Sequence, residues 1–433
     1  MKRCLIVLTR KYPYSYGEPS LDDEFRHHQP YYEKMIVLAQ DIGKGAATTR
    51  NPIPAVTYFN TATASRAAGR ALDKLRCFRF YLRRTQAVKS DRARVRFRPV
   101  RRYFLYSFEE RCSRMIREAK DTLCQFDWSG YDRIVLYSYW FFANARAAVG
   151  IAEYLKTKTE AEIVVVSRAH RYDLYENRNR LHYLPEREYL LQNVEAVYAC
   201  SLDGGAYLRG NHPLFADKIK TAYVGTTDYG RCELPPGEGF HIVSCCRIVP
   251  MKRLELLIAA LRQVSRGKIH WTCIGGGIEG DAYFQRVKTE ACQALDGHPN
   301  VSYTFTGALP HDEVLQYYRD HRVDAFVNVS ESEGLPAVLM EAGSFGIPLV
   351  ATNVGGTAEI VHNGQNGYLL AADFAPSTLA AMLMELAETA PADLDAMRSR
   401  SREIWCGQFN SSVNYAAFAN ELATGGDAHH EAN

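Results

Sequence analysis

Ser330-Glu331-Ser332-Glu333-Gly334-Leu335-Pro336-Ala337-Val338-Leu339-Met340-Glu341 is the stretch on which the fold turns. It follows a short apolar run, Ala325 to Val329, turns at Gly334, and enters a helix with Pro336 in its first turn, where a missing N–H is tolerated. The helix runs to Phe345, and a second apolar run, Pro348 to Ala351, comes after it. Strand, loop, helix and strand in so short a span are the repeating unit of an α/β sheet.

The same alternation continues in both directions. Upstream lie strand His241 to Cys246, helix Lys252 to Val264 with Leu254, Leu257, Ile258 and Leu261 on one face, and strand Ile269 to Ile274. Helix Ala282 to Leu295, strand Val301 to Phe305 and helix Asp312 to Arg319 lead back to the quoted unit. Nearer the N-terminus, Cys4 to Leu8, Met35 to Ala39, Ile134 to Tyr137, Ile163 to Val166, Ala196 to Ala199 and Ile219 to Tyr223 are rich in Val, Ile and Tyr without strict alternation. Strands of a parallel sheet buried on both faces have this character. Between the two arrays, Leu234-Pro235-Pro236-Gly237-Glu238-Gly239 continues neither element.

The expected organisation is therefore α/β with two doubly wound domains, 1–232 and 240–402, joined by a linker at 233–239. A basic insertion at about 70–125 belongs to the first domain. A C-terminal helix at 403–423, amphipathic over Trp405 to Leu422, is expected to cross back to that domain, and 424–433 is a polar tail. Ligands of such sheets sit beyond the carboxyl ends of the strands.

A chain of 433 residues, 47% hydrophobic and 23% charged, can bury a large core and falls outside the disordered class. No window holds the roughly 18 unbroken apolar residues of a membrane span. Met1-Lys2-Arg3 leads into an apolar run too short for a signal peptide, which gives the expectation of a cytoplasmic protein. The 11 cysteines are scattered and lack the close pairs of zinc sites, as expected of reduced core residues. Charge is distributed unevenly. Lys74 to Arg102 holds twelve basic residues against one acidic, Asp91, so the remainder of a chain of net charge +3 carries −8.

The chemistry concentrates in the second half. Gly334, Leu335 and Pro336 bring the N–H groups of a helix start to a position that suits phosphate. Glu333 lies on the loop and Glu341 within the helix, so the two carboxylates can address different parts of one ligand, and a carboxylate accepts well from a sugar or ribose diol. The alternative is a helix-end charge and a solvated face. Arg247 and Lys252 flank the first strand-to-helix turn of the same array, in Cys246-Arg247-Ile248-Val249-Pro250-Met251-Lys252. Two cations there can neutralise a diphosphate, more strongly as charge develops on it, although Lys252 also reads as a surface lysine. A cation is disfavoured beside a helix N-terminus unless an anion is near.

These residues carry a resemblance to glycosyltransferase family 4, with the GT-B fold. In order, the matching pieces are Arg247 and Lys252, Ile274-Gly275-Gly276-Gly277, Phe305-Thr306-Gly307-Ala308-Leu309, Glu333-Gly334-Leu335-Pro336 with Glu341, Gly346 to Thr352, Val354-Gly355-Gly356 with Glu359-Ile360-Val361, and Asn366 to Leu370. The resemblance implies two facing Rossmann-like domains with the donor in the cleft between them. It implies that Glu333 meets the donor sugar, that Glu341 meets the ribose, that Arg247 and Lys252 grip the diphosphate of a UDP- or GDP-sugar, and that main chain at Ala308 and Leu309 lines the base pocket. In the N-terminal half, Lys11 to Pro19 resembles the family's glycine loop, with Gly17 alone where paired glycines are common. Tyr137 to Trp140 and Ser167 to Tyr175 resemble family segments at strand ends. By resemblance His170 is a catalytic group beside the donor sugar; Tyr14, Glu18, Arg171 and Asp173 fall on the acceptor side. Arg171 stands where many relatives have glycine.

The family implies transfer with retention. Eight positions across a loop-to-helix junction is a binding arrangement rather than a glycosidase acid–nucleophile pair, so the expected step is front-face attack with the leaving diphosphate assisting deprotonation. Metal dependence is not expected: Asp393-Leu394-Asp395 reads as a solvated face. The expected acceptor is a glycan or a polyprenyl-diphosphate-linked glycan, in capsule, exopolysaccharide, lipopolysaccharide or other surface-glycan assembly. In the basic block Leu75, Phe78 and Leu82 recur at helical spacing beside Arg76, Arg79 and Arg83, a pattern that fits an interfacial helix on anionic lipid at the inner face of a membrane or a solvated helical insertion. Two other readings stay open: an epimerase or hydrolase of nucleotide sugars on the same fold, and a nucleic-acid-binding surface with Phe78, Phe80, Tyr81, Phe97 and Tyr103 as stacking aromatics. The latter lacks any recognition-module pattern, so no nucleic acid is expected as a partner.

Overall fold

In the computed structural model the described residues are 1–14, 17–50, 52–82 (Tyr81 and Leu82 by backbone alone), 85–233, 235, 237–277 and 281–425. They form two compact units, one of Met1–Val224 with the chain from Ser412 onward, the other of Gly225–Ser411.

The first unit is built on seven parallel strands: β1 (Arg3–Thr9), β2 (Lys34–Ala39), β3 (Val56–Asn60), β4 (Arg133–Ser138), β5 (Glu162–Ala169), β6 (Ala196–Ala199) and β7 (Ile219–Thr221), in the order β3-β2-β1-β4-β5-β6-β7. Successive β1 side chains point to opposite faces, and both faces are covered. Cys4, Ile6 and Leu8 pack with Met115, Val149 and Leu155, while Leu5 and Val7 pack with Phe25, Phe418 and Leu422. Burial on both sides is why these strands read as unbroken apolar runs.

The second unit has six parallel strands: β8 (Phe240–Cys245), β9 (Ile269–Ile274), β10 (Val301–Gly307), β11 (Ala325–Asn328), β12 (Leu349–Thr352) and β13 (Gly367–Leu370), ordered β10-β9-β8-β11-β12-β13. Its core gathers Trp271, Leu257 and Leu261 with Leu379 and Leu383. In each sheet the direction of winding reverses once, between β1 and β4 in the first and between β8 and β11 in the second. Such a reversal leaves a crevice at the carboxyl ends of the two flanking strands.

Two expected boundaries move. The chain changes unit at 224/225, not at 233–239. The residues before the Pro/Gly cluster are held by the second unit: Tyr229 stacks on Phe345 with ring centroids 5.6 Å apart, Cys232 donates its N–H to the Phe345 carbonyl at 3.2 Å, and Arg398 donates to the Cys232 carbonyl at 2.8 Å. Leu234 and Pro236 of the expected linker lie outside the described residues. The single helix expected at 403–423 is two, Pro391–Gln408 and Ser411–Thr424, because at Phe409 and Asn410 the chain leaves helical geometry to bridge to Thr226. Only the later helix belongs to the first unit. Of the expected tail, 426–433 lies outside the described residues. Among those described, no helix is long and apolar enough to cross a membrane.

Candidate functional site

At the reversal in the second sheet, β8 runs through Cys246–Val249 into a tight turn, Pro250–Lys252, then through Arg253 in left-handed backbone (φ 50°) into helix Leu254–Leu261. Lys252 therefore sits in a turn before the helix, not in its first turn. Across the crevice, β11 leads through the Ser330–Leu335 loop to helix Ala337–Ser344, with Pro336 at its N-cap. Three bonds tie the loops together. The Glu331 N–H donates to the Met251 carbonyl at 2.9 Å, and the Arg253 guanidinium donates to the carbonyls of Val329 and Ser330 at 2.8 and 3.2 Å. From the next strand, the Thr352 hydroxyl donates to the Ser330 carbonyl at 2.5 Å.

The outcome is a close pair. Lys252 Nζ lies 2.6 Å from Glu333 Oε1, with only 18% and 11% of the two side chains exposed, and the Asn328 amide reaches the same oxygen at 3.4 Å. The glycine motifs explain how backbones come close enough for this. Gly355 has φ +57°, and a Cβ there would lie 2.2 Å from the Glu333 carbonyl oxygen; the neighbouring Gly356 N–H donates to the Gly334 carbonyl at 2.7 Å. Gly275, at φ +141°, presses on the loop after β8 so closely that a Cβ would lie 1.8 Å from the Cys246 carbonyl oxygen. Only glycine tolerates both the contact and the backbone.

Glu341 is buried in helix Ala337–Ser344. Its Oε1 lies 2.9 Å from Nε2 of His311, and that hydrogen bond raises the His311 pKa. His311 follows Ala308-Leu309-Pro310, the loop beyond β10, so this bond brings the expected base-side loop against the Glu341 helix. His311 is a site residue that the sequence reading missed; its position two residues beyond Leu309 was the available signal. Ala308 is exposed and Leu309 half-buried, Gly334 and Leu335 are half-buried just before the helix start, and Arg247 stands exposed at the end of β8. Glu333, Lys252, Gly334, Leu335 and Pro336 thus form one cluster at the reversal point. Among the described residues, no group of three or more His, Cys, Asp or Glu is placed to hold a metal ion.

The first unit has its own cluster at the β1/β4 reversal, and two expected roles are revised there. Glu18 was expected on the acceptor side. It is buried instead, accepting from the N–H groups of Arg10, Lys11 and Tyr12 at 2.8, 2.9 and 2.9 Å and from the Trp140 indole at 2.6 Å. The carboxylate latches its own loop and has no capacity to spare for a ligand. Asp173 is likewise buried and accepts from the Phe141 and His170 N–H groups at 2.7 and 2.9 Å. Burial lifts its pKa to about 6.

His170 lies against Tyr139 and Trp140, each ring centroid 4.6 Å away. Its Nε2 is 3.1 Å from the Tyr139 carbonyl, and its Nδ1 is 3.2 Å from the Cys200 sulfur. A carbonyl only accepts, so Nε2 carries the proton and Nδ1 accepts from the thiol. Burial and the nearby Arg168 hold the pKa down to about 3. At neutral pH the ring is uncharged, with both nitrogens engaged. Tyr14 and Arg171 are half-buried. Gly17 has ordinary backbone, and a Cβ there would meet the Lys11 side chain at 3.5 Å, so packing does not demand glycine. Ser15 and Tyr16 of the same stretch lie outside the described residues.

Residues 232–403 match the family model described as glycosyl transferases group 1. This stretch is similar to the group 1 glycosyltransferase domain, over about two fifths of the chain. It contains the Lys252–Glu333 pair, Glu341, His311 and both glycine motifs. The putative colanic acid biosynthesis glycosyltransferase WcaL of Salmonella typhimurium is 27% identical over 267 residues, 59% of this chain and 63% of that relative's length. The match thus spans less than two thirds of the relative. Among solved structures, the lipopolysaccharide outer core galactosyltransferase WaaB superposes with a TM-score of 0.64 at 13% identity, covering 98% of this chain and 99% of WaaB. Anabaena HepE in complex with UDP-glucose superposes with a TM-score of 0.61 at 15% identity, covering 97% of this chain and 99% of HepE. At this identity they show the fold alone: the unit built on β1–β7 and the unit built on β8–β13 each have a fold found in these solved glycosyltransferases.

Proposed function

We propose that the protein is a family 4 glycosyltransferase that moves a sugar, with retention, from a nucleotide-diphosphate sugar to a hydroxyl of a glycan or lipid-linked acceptor in cell-surface polysaccharide assembly. The observation that carries this reading is the Lys252–Glu333 pair at the reversal point, 2.6 Å apart, with Glu341 one helix turn further in. A diphosphate exchanges into the coordination of Lys252, with Arg247 as second cation, and releases Glu333 to accept from the donor sugar's hydroxyls. Glu341 accepts from the ribose, and main chain at Ala308 and Leu309 borders the base. The pairing of Glu333 with a cation suits a hydrogen-bonding group and not a free nucleophile, which favours front-face attack over a covalent intermediate. The leaving diphosphate takes the acceptor proton as its charge grows beside Lys252.

The solved HepE complex makes UDP-glucose the first donor to try, and the colanic acid relative supports an extracellular-polysaccharide setting. The test is calorimetric binding of a panel of UDP-, GDP- and ADP-sugars, followed by assignment of the product anomer by NMR, with and without EDTA. One nucleotide class should bind, the donor's anomeric configuration should persist, and chelation should leave turnover unchanged. Inversion, or an absence of binding by every donor, refutes the reading; donor consumption without acceptor would make the protein a hydrolase or epimerase.

A further inference from the structure

Six of the eleven large apolar side chains exposed among the described residues fall between Leu72 and Tyr103, so exposed apolar surface is concentrated in the basic insertion. The insertion folds as helices Arg66–Arg76, Arg79–Leu82, Gln86–Ser90 and Arg92–Val95 laid beside the long helix Pro99–Leu123. Its inner side is fully engaged. Cys77, Phe80, Val88, Val95 and Leu105 are buried, Arg114 forks onto Asp73 with both contacts at 2.9 Å, and Arg79 forks onto Glu110 at 2.6 and 2.5 Å. The stripe expected on one helix is therefore divided: Phe78 falls between two helices, Arg79 is neutralised from within, and Arg83 and the Leu82 side chain lie outside the described residues.

The outer side gathers residues distant in sequence. Leu75, Phe78, Phe97, Val100 and Tyr103 are 40 to 84% exposed, and the Phe78 and Tyr103 rings stand 6.2 Å apart, centroid to centroid. Around them Lys74, Arg76, Arg92, Arg96 and Arg98 are exposed. A cavity of about 200 Å³, floored by Phe80 and Leu105 and rimmed by Lys89, Arg92, Arg96 and Arg102, shares Arg92 and Arg96 with these cations. A soluble insertion that stopped at its own core would not keep a patch of this kind on its outer face. Aliphatic Leu75 and Val100 within the patch offer nothing to stacked bases, whereas an apolar centre ringed by arginines matches the acyl-chain boundary and phosphates of a bilayer.

We propose that the outer face carried by residues 72–80 and 92–103 docks the protein on an anionic phospholipid bilayer. Leu75, Phe78, Phe97 and Val100 enter the headgroup boundary, Arg92, Arg96 and Arg98 meet lipid phosphates, and the arginine-rimmed cavity receives one headgroup. The inference does not rest on the donor reading. The test is co-sedimentation of the full chain with vesicles of phosphatidylglycerol and phosphatidylcholine, compared with phosphatidylcholine alone, at low and high salt. Wild type should bind the anionic vesicles and release as salt rises. Each near-surface cation removed should weaken binding roughly five-fold, so R92Q/R96Q/R98Q should lose about 100-fold. F78S/F97S/V100S should lose binding even at low salt. All six side chains are exposed, so the variants should melt as wild type does and keep nucleoside diphosphate binding, measured on the same samples. The proposal is overturned by failure of wild type to bind anionic vesicles at low salt, by equal binding of the variants, or by tighter binding to a single-stranded oligonucleotide than to vesicles.

Discussion

Glu333→Gln separates the two jobs that the Lys252–Glu333 pair is proposed to do. In the resting protein the ammonium is satisfied by Glu333 at 2.6 Å, so a diphosphate must approach a cation that already has a carboxylate beside it. Two anions about 6 Å apart on either side of one ammonium repel by roughly 0.7 kcal/mol in water and about 3 kcal/mol at an effective dielectric of 20. With 18% and 11% of the two side chains exposed, an intermediate value of about 1 kcal/mol applies, or roughly five-fold in Kd. Glu333→Gln keeps the shape and removes the charge. It should therefore bind the free nucleoside diphosphate about five-fold more tightly while losing at least about 100-fold in kcat/KM, because the amide accepts more weakly from a sugar hydroxyl whose bond strengthens in the transition state. Calorimetry with the nucleoside diphosphate and initial rates with its sugar read the two effects on one preparation. Near-wild-type turnover, or a fall in diphosphate affinity parallel to the fall in rate, would sink the assignment.

Gly355→Ala places a methyl group 2.2 Å from the Glu333 carbonyl oxygen at a φ of +57°, so stability should fall by roughly 2–4 kcal/mol together with activity. Gly364→Ala, at φ +75° with open space around it, should cost only about 1 kcal/mol; equal urea midpoints for the two would show that the close approach to Glu333 is not what matters. Asp173 titrates near 6 in the fold, raised from an ordinary value of 3.8. Its contribution is thus full below the ordinary carboxylate range and is lost as pH rises through about 6. Thermal melts of wild type should lose stability between about pH 4 and about pH 6, and Asp173→Asn, which stays neutral, should flatten that slope; an unchanged slope in the variant would assign it to other groups.

The sequence exposed the sheet interiors and concealed two of their four edges. Every strand with two strand neighbours reads as an apolar run, because it is covered on both faces. The unread strands, β3 and β13, are both edge strands, and no position of β3 is buried, four being half-buried and one exposed, so its residues lack the apolar signature. The second-unit cluster was legible because Lys252, Glu333 and Glu341 each belong to a local motif, and sheet order brings those motifs together. Glu18 and Asp173 were misread for a complementary reason. A carboxylate that latches a loop has the same local sequence as one that waits for a ligand, and only its partners, Trp140 at 122 residues' separation and Phe141 at 32, tell them apart. Likewise a Pro/Gly cluster marks a turn, whereas a domain boundary depends on which core the flanking side chains join.

The helix Ser411–Thr424 supplies Phe418, Leu422 and Ala423 to the core beneath β1, and Arg168 lays its guanidinium 3.9 Å above the Phe418 ring. The first unit to leave the ribosome is therefore the last that can close. Until residues beyond 411 emerge, one face of its sheet is only partly covered, by Leu21 and Phe25, and the buried Arg168 lacks its aromatic lid, while the intervening unit, contiguous in sequence, can fold as soon as it is made. Maturation of this protein runs from the inside of the chain outward, and the nascent first sheet is the surface for which a chaperone would compete.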